Sequence, residues 1–207
     1  MTSEDSVVIV VEDDVDFREA LLRLFRSVGM AALAFGSARE LLESTLPDVP
    51  ACLVLDVRLP GSSGLDIQRD LAEAGRHIPV VFMTGHGDIP MTVRAMKAGA
   101  VDFLSKPFRD QDMLDAVMAA IESDRTRRQR DLADAQLRAR YDALSPRERE
   151  VMTYVTTGLM NKQVAGEMGL SEITVKIHRG NAMKKMKARS LAELVKMAEA
   201  LGVSGGR

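Results

Sequence analysis

The chain has one cysteine, no tryptophan and only 4% aromatic residues in 207 positions. A lone thiol excludes a disulfide framework and a cysteine-built zinc site, and Cys52, set in the apolar run "CLVLD", reads as a small buried hydrophobe. No apolar run approaches the roughly 20 residues that cross a bilayer. No early stretch joins a basic start to an apolar segment, so a targeting peptide is not expected. These absences point to a soluble cytoplasmic protein with no membrane partner. Proline and glycine are missing altogether between Asp110 and Ser145. A flexible Gly/Ser/Pro linker is thereby excluded. One long helix fits the stretch, packed at its start through Leu114, Val117, Met118 and Ile121 and solvated later; high charge and few aromatics also fit a disordered linker.

The net charge of -2 conceals a split along the chain. Residues 1 to 123 carry 11 basic against 20 acidic side chains, a net -9; residues 124 to 140 carry six against three, and residues 141 to 207 carry 11 against seven, a net +4. An acidic module thus precedes one suited to a polyanion. In the first module short apolar runs at 7 to 11, 30 to 35, 52 to 56, 79 to 83 and 101 to 104 alternate with helical spacings such as Phe17, Leu21, Leu24, Phe25 and Val28. Five βα units imply an α/β doubly wound parallel sheet with helices on both faces.

In such sheets a ligand site forms outside the carboxyl ends of the strands. Polar residues collect there: Glu12, Asp13 and Asp14 after the first run, Asp56 at the end of the third, Thr84 after the fourth and Lys106 just past the fifth. Any one of these alone would be ordinary loop decoration. Together they suit a divalent cation and a phosphoryl group, since Mg²⁺ takes one or two carboxylates plus waters and phosphate oxygens. An aspartate in that setting is a competent nucleophile toward phosphorus, helped by an ammonium and a hydroxyl.

In the basic module Ser145-Pro146-Arg147-Glu148 signals a helix start. Four short helices are expected at about 146 to 157, 161 to 168, 172 to 186 and 191 to 201, with Asn161, Ser171 and Ser190 as caps. The middle pair has the form of a helix-turn-helix. At 100° per residue Val175, Ala182 and Met186 share one side, with His178 near it, while Ile173, Lys176, Ile177, Gly180, Lys184 and Lys187 share the other. A basic face carrying two isoleucines suits a major groove. The candidate DNA-binding residues are Lys162, Ile173, Thr174, Lys176, Ile177, Arg179, Gly180, Lys184 and Lys187, with Lys162, Arg179, Lys184 and Lys187 suited to phosphates and Lys176 to base edges.

The stretches "VVEDDVDFREAL", "LVLDVRLPGSSGLD", "VVFMTGHGDIPMTVRAMKAGAVDFLSKPF" and "LSPREREVMTYVTTGLMNKQVAGEMGLSEITVKIHRGNAMKKM" resemble a two-component response regulator of the FixJ type, a CheY-like receiver followed by a LuxR/NarL-type helix-turn-helix. The resemblance implies a receiver at 1–123, a helical linker at 124–143 and a DNA-binding domain at 144–207. It makes Asp56 the phosphoacceptor, Thr84 the switch hydroxyl, Phe103 the switch aromatic and Lys106 the phosphate-contacting lysine, with a cis Lys106-Pro107 peptide. Glu12, Asp13, Asp56 and the backbone carbonyl of Arg58 would hold Mg²⁺; Arg18, five residues on, singles out Asp13 as the second acid. Val93 and Lys97 would lie on a face that forms a homodimer on phosphorylation. The implied partners are a sensor histidine kinase in a phosphorelay, promoter DNA and RNA polymerase. Two rivals remain: an aspartate-nucleophile phosphatase or phosphotransferase, which would commonly carry a second Asp where Arg58 stands, and a regulator whose output is RNA or protein.

Overall fold

The computed structural model describes residues 6–85 and 89–203; His86, Gly87 and Asp88 of the third quoted stretch, and both ends of the chain, lie outside them. Two compact units result, residues 1–129 and 130–207. In the first, β1 (Val7–Val11), β2 (Ala31–Phe35), β3 (Ala51–Asp56), β6 (Val80–Thr84) and β7 (Asp102–Ser105) pair in parallel, in the order β2-β1-β3-β6-β7. The doubly wound five-stranded sheet expected from the alternating runs is what forms. A small antiparallel pair, β4 (Arg58–Leu59) and β5 (Ser62–Ser63), follows β3 and had no counterpart in the sequence reading.

Period-two alternation explains why the strands are apolar throughout. Val7, Ile9, Val11, Leu53, Leu55 and Phe82 face one layer, where Leu41 of α2 (Ala38–Glu43), Ile67 and Leu71 of α3 (Gly64–Glu73) and Ala95 of α4 (Ile89–Lys97) cover them. Val8, Val10, Cys52, Val54, Val81 and Met83 face the other, against Leu21 and Phe25 of α1 (Val15–Ser27) and Met113, Val117 and Ile121 of α5 (Asp110–Asp142). Burial pushes the Cys52 thiol far up, aided by the nearby Asp124 carboxylate, so this sulfur stays an inert thiol.

The stretch without proline or glycine is the single 33-residue helix α5. Its packed stripe is Met113, Ala116, Val117, Ala120 and Ile121, whereas Met118, expected within it, is 47% exposed. The helix is anchored by a buried carboxylate beyond that stripe. Asp124 Oδ2 accepts the N–H of Ala51 (3.0 Å) at the start of β3, and its two oxygens take Arg127 (2.6 Å) and Arg128 (2.8 Å), Arg128 also reaching Asp48. Burial would raise its pKa, but the arginines and the Ala51 N–H outweigh it and hold the carboxyl below its ordinary value. We expect Asp124→Asn to cost about 2 kcal/mol at neutral pH, reduced from the full buried-pair value because both arginines are partly solvated. A depressed folded pKa adds stability that is complete above the unfolded value of about 4 and lost below it. The gap between wild type and variant in denaturant melts should therefore close as pH falls below about 4.

The second unit is helical: α6 (Pro146–Thr156), α7 (Asn161–Met168), α8 (Glu172–Met186) and α9 (Leu191–Leu201) enclose Val151, Met152, Val155, Val164, Val175, Met186 and Leu194. Ser145 and Glu148 form the expected capping box, and Ser171 and Ser190 cap α8 and α9. Asn161 is not a cap. The chain enters α7 at Met160, whose N–H is taken by Gln163 Oε1 (2.8 Å), which frees the Asn161 side chain for another role.

Candidate functional site

The strand order reverses between β1 and β3, and the polar residues gather at the carboxyl ends of these strands. Lys106, just past β7, places its Nζ 2.6 Å from both Glu12 Oε2 and Asp56 Oδ2. The other oxygens are also engaged: Glu12 Oε1 accepts the Asp14 N–H (3.3 Å), and Asp56 Oδ1 accepts the Arg58 N–H (2.8 Å). Glu12, Asp56 and Thr84 are buried, Thr84 completely. The Thr84 carbonyl accepts the Lys106 N–H (2.7 Å), so the end of β6 fixes the lysine backbone, and the Lys106-Pro107 peptide is cis.

The three consecutive acids have different surroundings. Asp14 is the N-cap of α1, accepting the Phe17 N–H at 3.0 Å. Arg18 Nη1 donates to the carbonyls of Glu12 (2.6 Å) and Asp13 (3.3 Å), pinning the backbone of both. Glu12 points inward and Asp13 is exposed at the rim. Phe103 is half-buried against one core layer beside Phe82, its partner in register. Val93 and Lys97 are exposed on α4, where Val93 and Met96 are each 44% accessible.

Electrostatically the pocket is short of positive charge. Burial raises the Glu12 pKa despite its lysine partner. Burial opposes the Lys106 charge too, yet its bonds to Asp56 and Glu12 outweigh that and raise its pKa. One ammonium thus serves two nearly buried carboxylates, with Asp13 close by in sequence. Among the described residues no three Asp, Glu, His or Cys side chains stand close enough together to hold a metal ion by themselves. The hard oxygen donors and their excess negative charge nonetheless fit a magnesium ion that keeps several waters.

In the second unit the Gly169 residue closes α7 in the left-handed conformation (φ 64°), and the Ser171 side chain accepts the Thr174 N–H (3.1 Å) to start α8. Val175, Ala182 and Met186 are buried; Ile173 and Ile177 are 74% and 57% exposed beside exposed Lys176, Gly180 and Lys184. Lys162 and Lys187 are exposed as well, Lys187 being the left-handed C-cap of α8. Thr174 and Arg179 are half-buried, and Arg179 Nη1 donates to Asn161 Oδ1 (3.1 Å), tying α8 to α7. His178 is likewise half-buried.

Several contributors escaped the sequence reading. Phe17, which reads as a core position of α1, lies under the lysine, with Lys106 Nζ 4.2 Å from its ring centroid. Gly64 is not singled out in the sequence, yet a Cβ there would sit 2.6 Å from the Asp56 carbonyl. Lys185 turns away from the basic face to meet buried Glu148 (2.6 Å), holding that carboxyl below its ordinary value against the effect of burial. Only the Gly and Lys types themselves signalled anything; their partners are 8 to 89 positions away in the chain.

Comparison with known proteins assigns a family to each unit. Residues 8–118 match the response regulator receiver domain, and residues 142–198 match the luxR family of bacterial regulatory proteins. The chain is 65% identical to nodulation protein W of Bradyrhizobium diazoefficiens over 98% of its own length and 89% of that protein's. It is 43% identical to the transcriptional regulatory protein FixJ of Rhizobium meliloti, covering 96% and 97% of the two chains. The solved response regulator StyR superposes with a TM-score of 0.86 at 48% identity, over 94% of this chain and 98% of that one. The chain belongs to the FixJ-type two-component response regulators, a receiver joined to a LuxR-type DNA-binding domain. It is a transcriptional regulator governed by phosphorylation, and the enzyme reading of its aspartate falls away with that membership. No described helix is long and apolar enough to cross a membrane.

Proposed function

We propose that Asp56 accepts a phosphoryl group from the phosphohistidine of a sensor kinase. A carboxylate oxygen of Asp56 forms the new O–P bond as the P–N bond breaks, and the histidine ring leaves. What supports this most directly is the Lys106 ammonium held 2.6 Å from the Asp56 carboxylate, where it can follow the charge onto the phosphoryl oxygens. The Thr84 hydroxyl offers a second donor, and Phe103 turning inward would carry the change to the exposed face of α4 at Val93 and Lys97, where two copies join. Glu12, Asp13, Asp56 and the Arg58 carbonyl would hold Mg²⁺, which when bound neutralises charge on the transferred group. Incubation with Mg²⁺ and acetyl phosphate, followed by intact mass and sizing, should give one phosphoryl adduct and a dimer for wild type and neither for Asp56→Asn. An adduct that persists in the variant would displace Asp56 from this role.

The output is promoter DNA, read in the cytoplasm by a dimer on two half-sites, with RNA polymerase as the downstream partner. Ile173, Thr174, Lys176 and Ile177 face the bases in this reading, and Lys162, Arg179, Lys184 and Lys187 the phosphates. Exposed isoleucines on a basic helix favour duplex DNA over a protein or RNA partner. Gly180 provides the discriminating test. Nothing lies within 4 Å of a Cβ built there, so Gly180→Ala should stabilise the second unit by about 1 kcal/mol in melts. Where the duplex backbone or a base edge occupies that space, the same methyl group should weaken promoter binding several-fold. Gains in both stability and affinity would place the DNA elsewhere.

A further inference from the structure

At the amino ends of β6 and β7, roughly 13 Å along the strands from the site of Thr84, the receiver unit holds a cavity of about 610 Å³. This is the size of a small-molecule site. Its walls combine apolar side chains, among them Leu71, Ile78 and Val101, with the guanidinium groups of Arg69, Arg76 and Arg127. Two of these arginines are already neutralised, Arg69 by Asp66 (2.9 Å) and Arg127 by Asp124 (2.6 Å). Arg76 has no carboxylate partner among the described residues. Its Nη2 reaches only the Ser44 carbonyl at 3.4 Å, and its buried Nη1 has no acceptor. Gln68, also in the wall, donates Nε2 to the Ala98 carbonyl (3.2 Å) and leaves its buried Oε1 without a donor.

Arg76 Nη1 and Gln68 Oε1 are single buried, unpartnered atoms on half-buried side chains of one cavity wall, and leaving them so is costly unless something supplies their partners. We propose that this cavity binds a small organic carboxylate with an apolar body and a hydroxyl group. The carboxylate accepts from Arg76, the hydroxyl donates to Gln68, and the body packs on Leu71, Ile78 and Val101. Arg127 lines the same cavity and holds Asp124, so the occupant bears on the root of α5, the helix that leads out of the receiver.

The test is titration of the full chain with 4-hydroxybenzoate, followed by amide NMR, with 4-hydroxybenzyl alcohol as the neutral counterpart. The expected result is saturable shifts confined to the cavity wall, residues 65 to 80, 98 to 101 and 123 to 127, absent with the alcohol. Arg76→Gln should weaken binding at least tenfold, and so should Ala72→Phe, which fills the cavity from an exposed position on α3 and keeps the arginine. No saturable shift up to about 10 mM, shifts mapping elsewhere, equal response to the alcohol, or full affinity in a folded variant would each overturn the proposal.

Discussion

Lys106→Ala is expected to reduce phosphoryl acceptance from acetyl phosphate by roughly 10²–10³-fold, the usual cost of removing one donor aimed at developing charge. The same substitution should destabilise the receiver by about 3 kcal/mol, because Glu12 and Asp56 then lie nearly buried with their shared counter-ion gone. The two effects are separable with Mg²⁺. A divalent cation on the Glu12, Asp13 and Asp56 oxygens would restore counter-charge, so Mg²⁺ should raise the melting temperature of the variant more than that of wild type. It should leave the acceptance rate low, since the ammonium held against the Asp56 carboxylate is still missing. Recovery of rate along with stability would reduce Lys106 to a structural counter-ion. Phe17 supplies a gentler control. Phe17→Leu keeps most of the apolar bulk but removes the ring face 4.2 Å from Nζ, so it should change the rate much less than losing the lysine.

What the sequence made legible here is what local periodicity encodes. The unbroken β-branched run at Val7–Val11 and the apolar stretch at Ala51–Asp56 mark strands buried on both faces, and the carboxylate that ends the second falls at the carboxyl end of the sheet where ligands bind. The wheel of α8 separates Val175, Ala182 and Met186 from Ile173 and Ile177, because one helix face decides both sets. The unread features are contacts between distant positions. Asp124 looks like one more charge in a polar helix until β3 brings the Ala51 N–H to it. Met118 fits the apolar spacing of α5 but falls at the margin of the stripe, where the sheet no longer covers it. Asn161 has the chemistry of a cap, yet Gln163 satisfies the helix entry and Arg179 claims the amide. The hairpin of β4 and β5 has two residues per strand, too few for any period to show.

Gly64→Ala is expected to have the largest effect on the receiver of any single methyl group. The added Cβ would lie 2.6 Å from the Asp56 carbonyl and 3.1 Å from both Val57 Cα and the Phe82 ring. Two of these three obstacles are backbone, which has no rotamer to change. Either α3 moves away, opening the Gly64 N–H bond to Val57 O (2.9 Å), or the end of β3 moves and carries Asp56 with it. We expect about 3 kcal/mol of destabilisation and, since a shift near 1 Å at a reacting group costs on the order of 10²-fold, a comparable loss of phosphoryl acceptance. Gly61→Ala is the matched control: Gly61 has φ 78° and open space around it, so the cost there is backbone strain of about 1 kcal/mol. The chain allows the two units to be followed apart, because both tyrosines, Tyr141 and Tyr154, lie in the second unit and all six phenylalanines in the first. Tyrosine fluorescence should therefore report the same melt for Gly64→Ala and wild type, while circular dichroism shows the receiver transition moved to lower temperature. Equal losses in the Gly64 and Gly61 variants would mean that the close approach of α3 to the Asp56 carbonyl does not set the position of the acceptor.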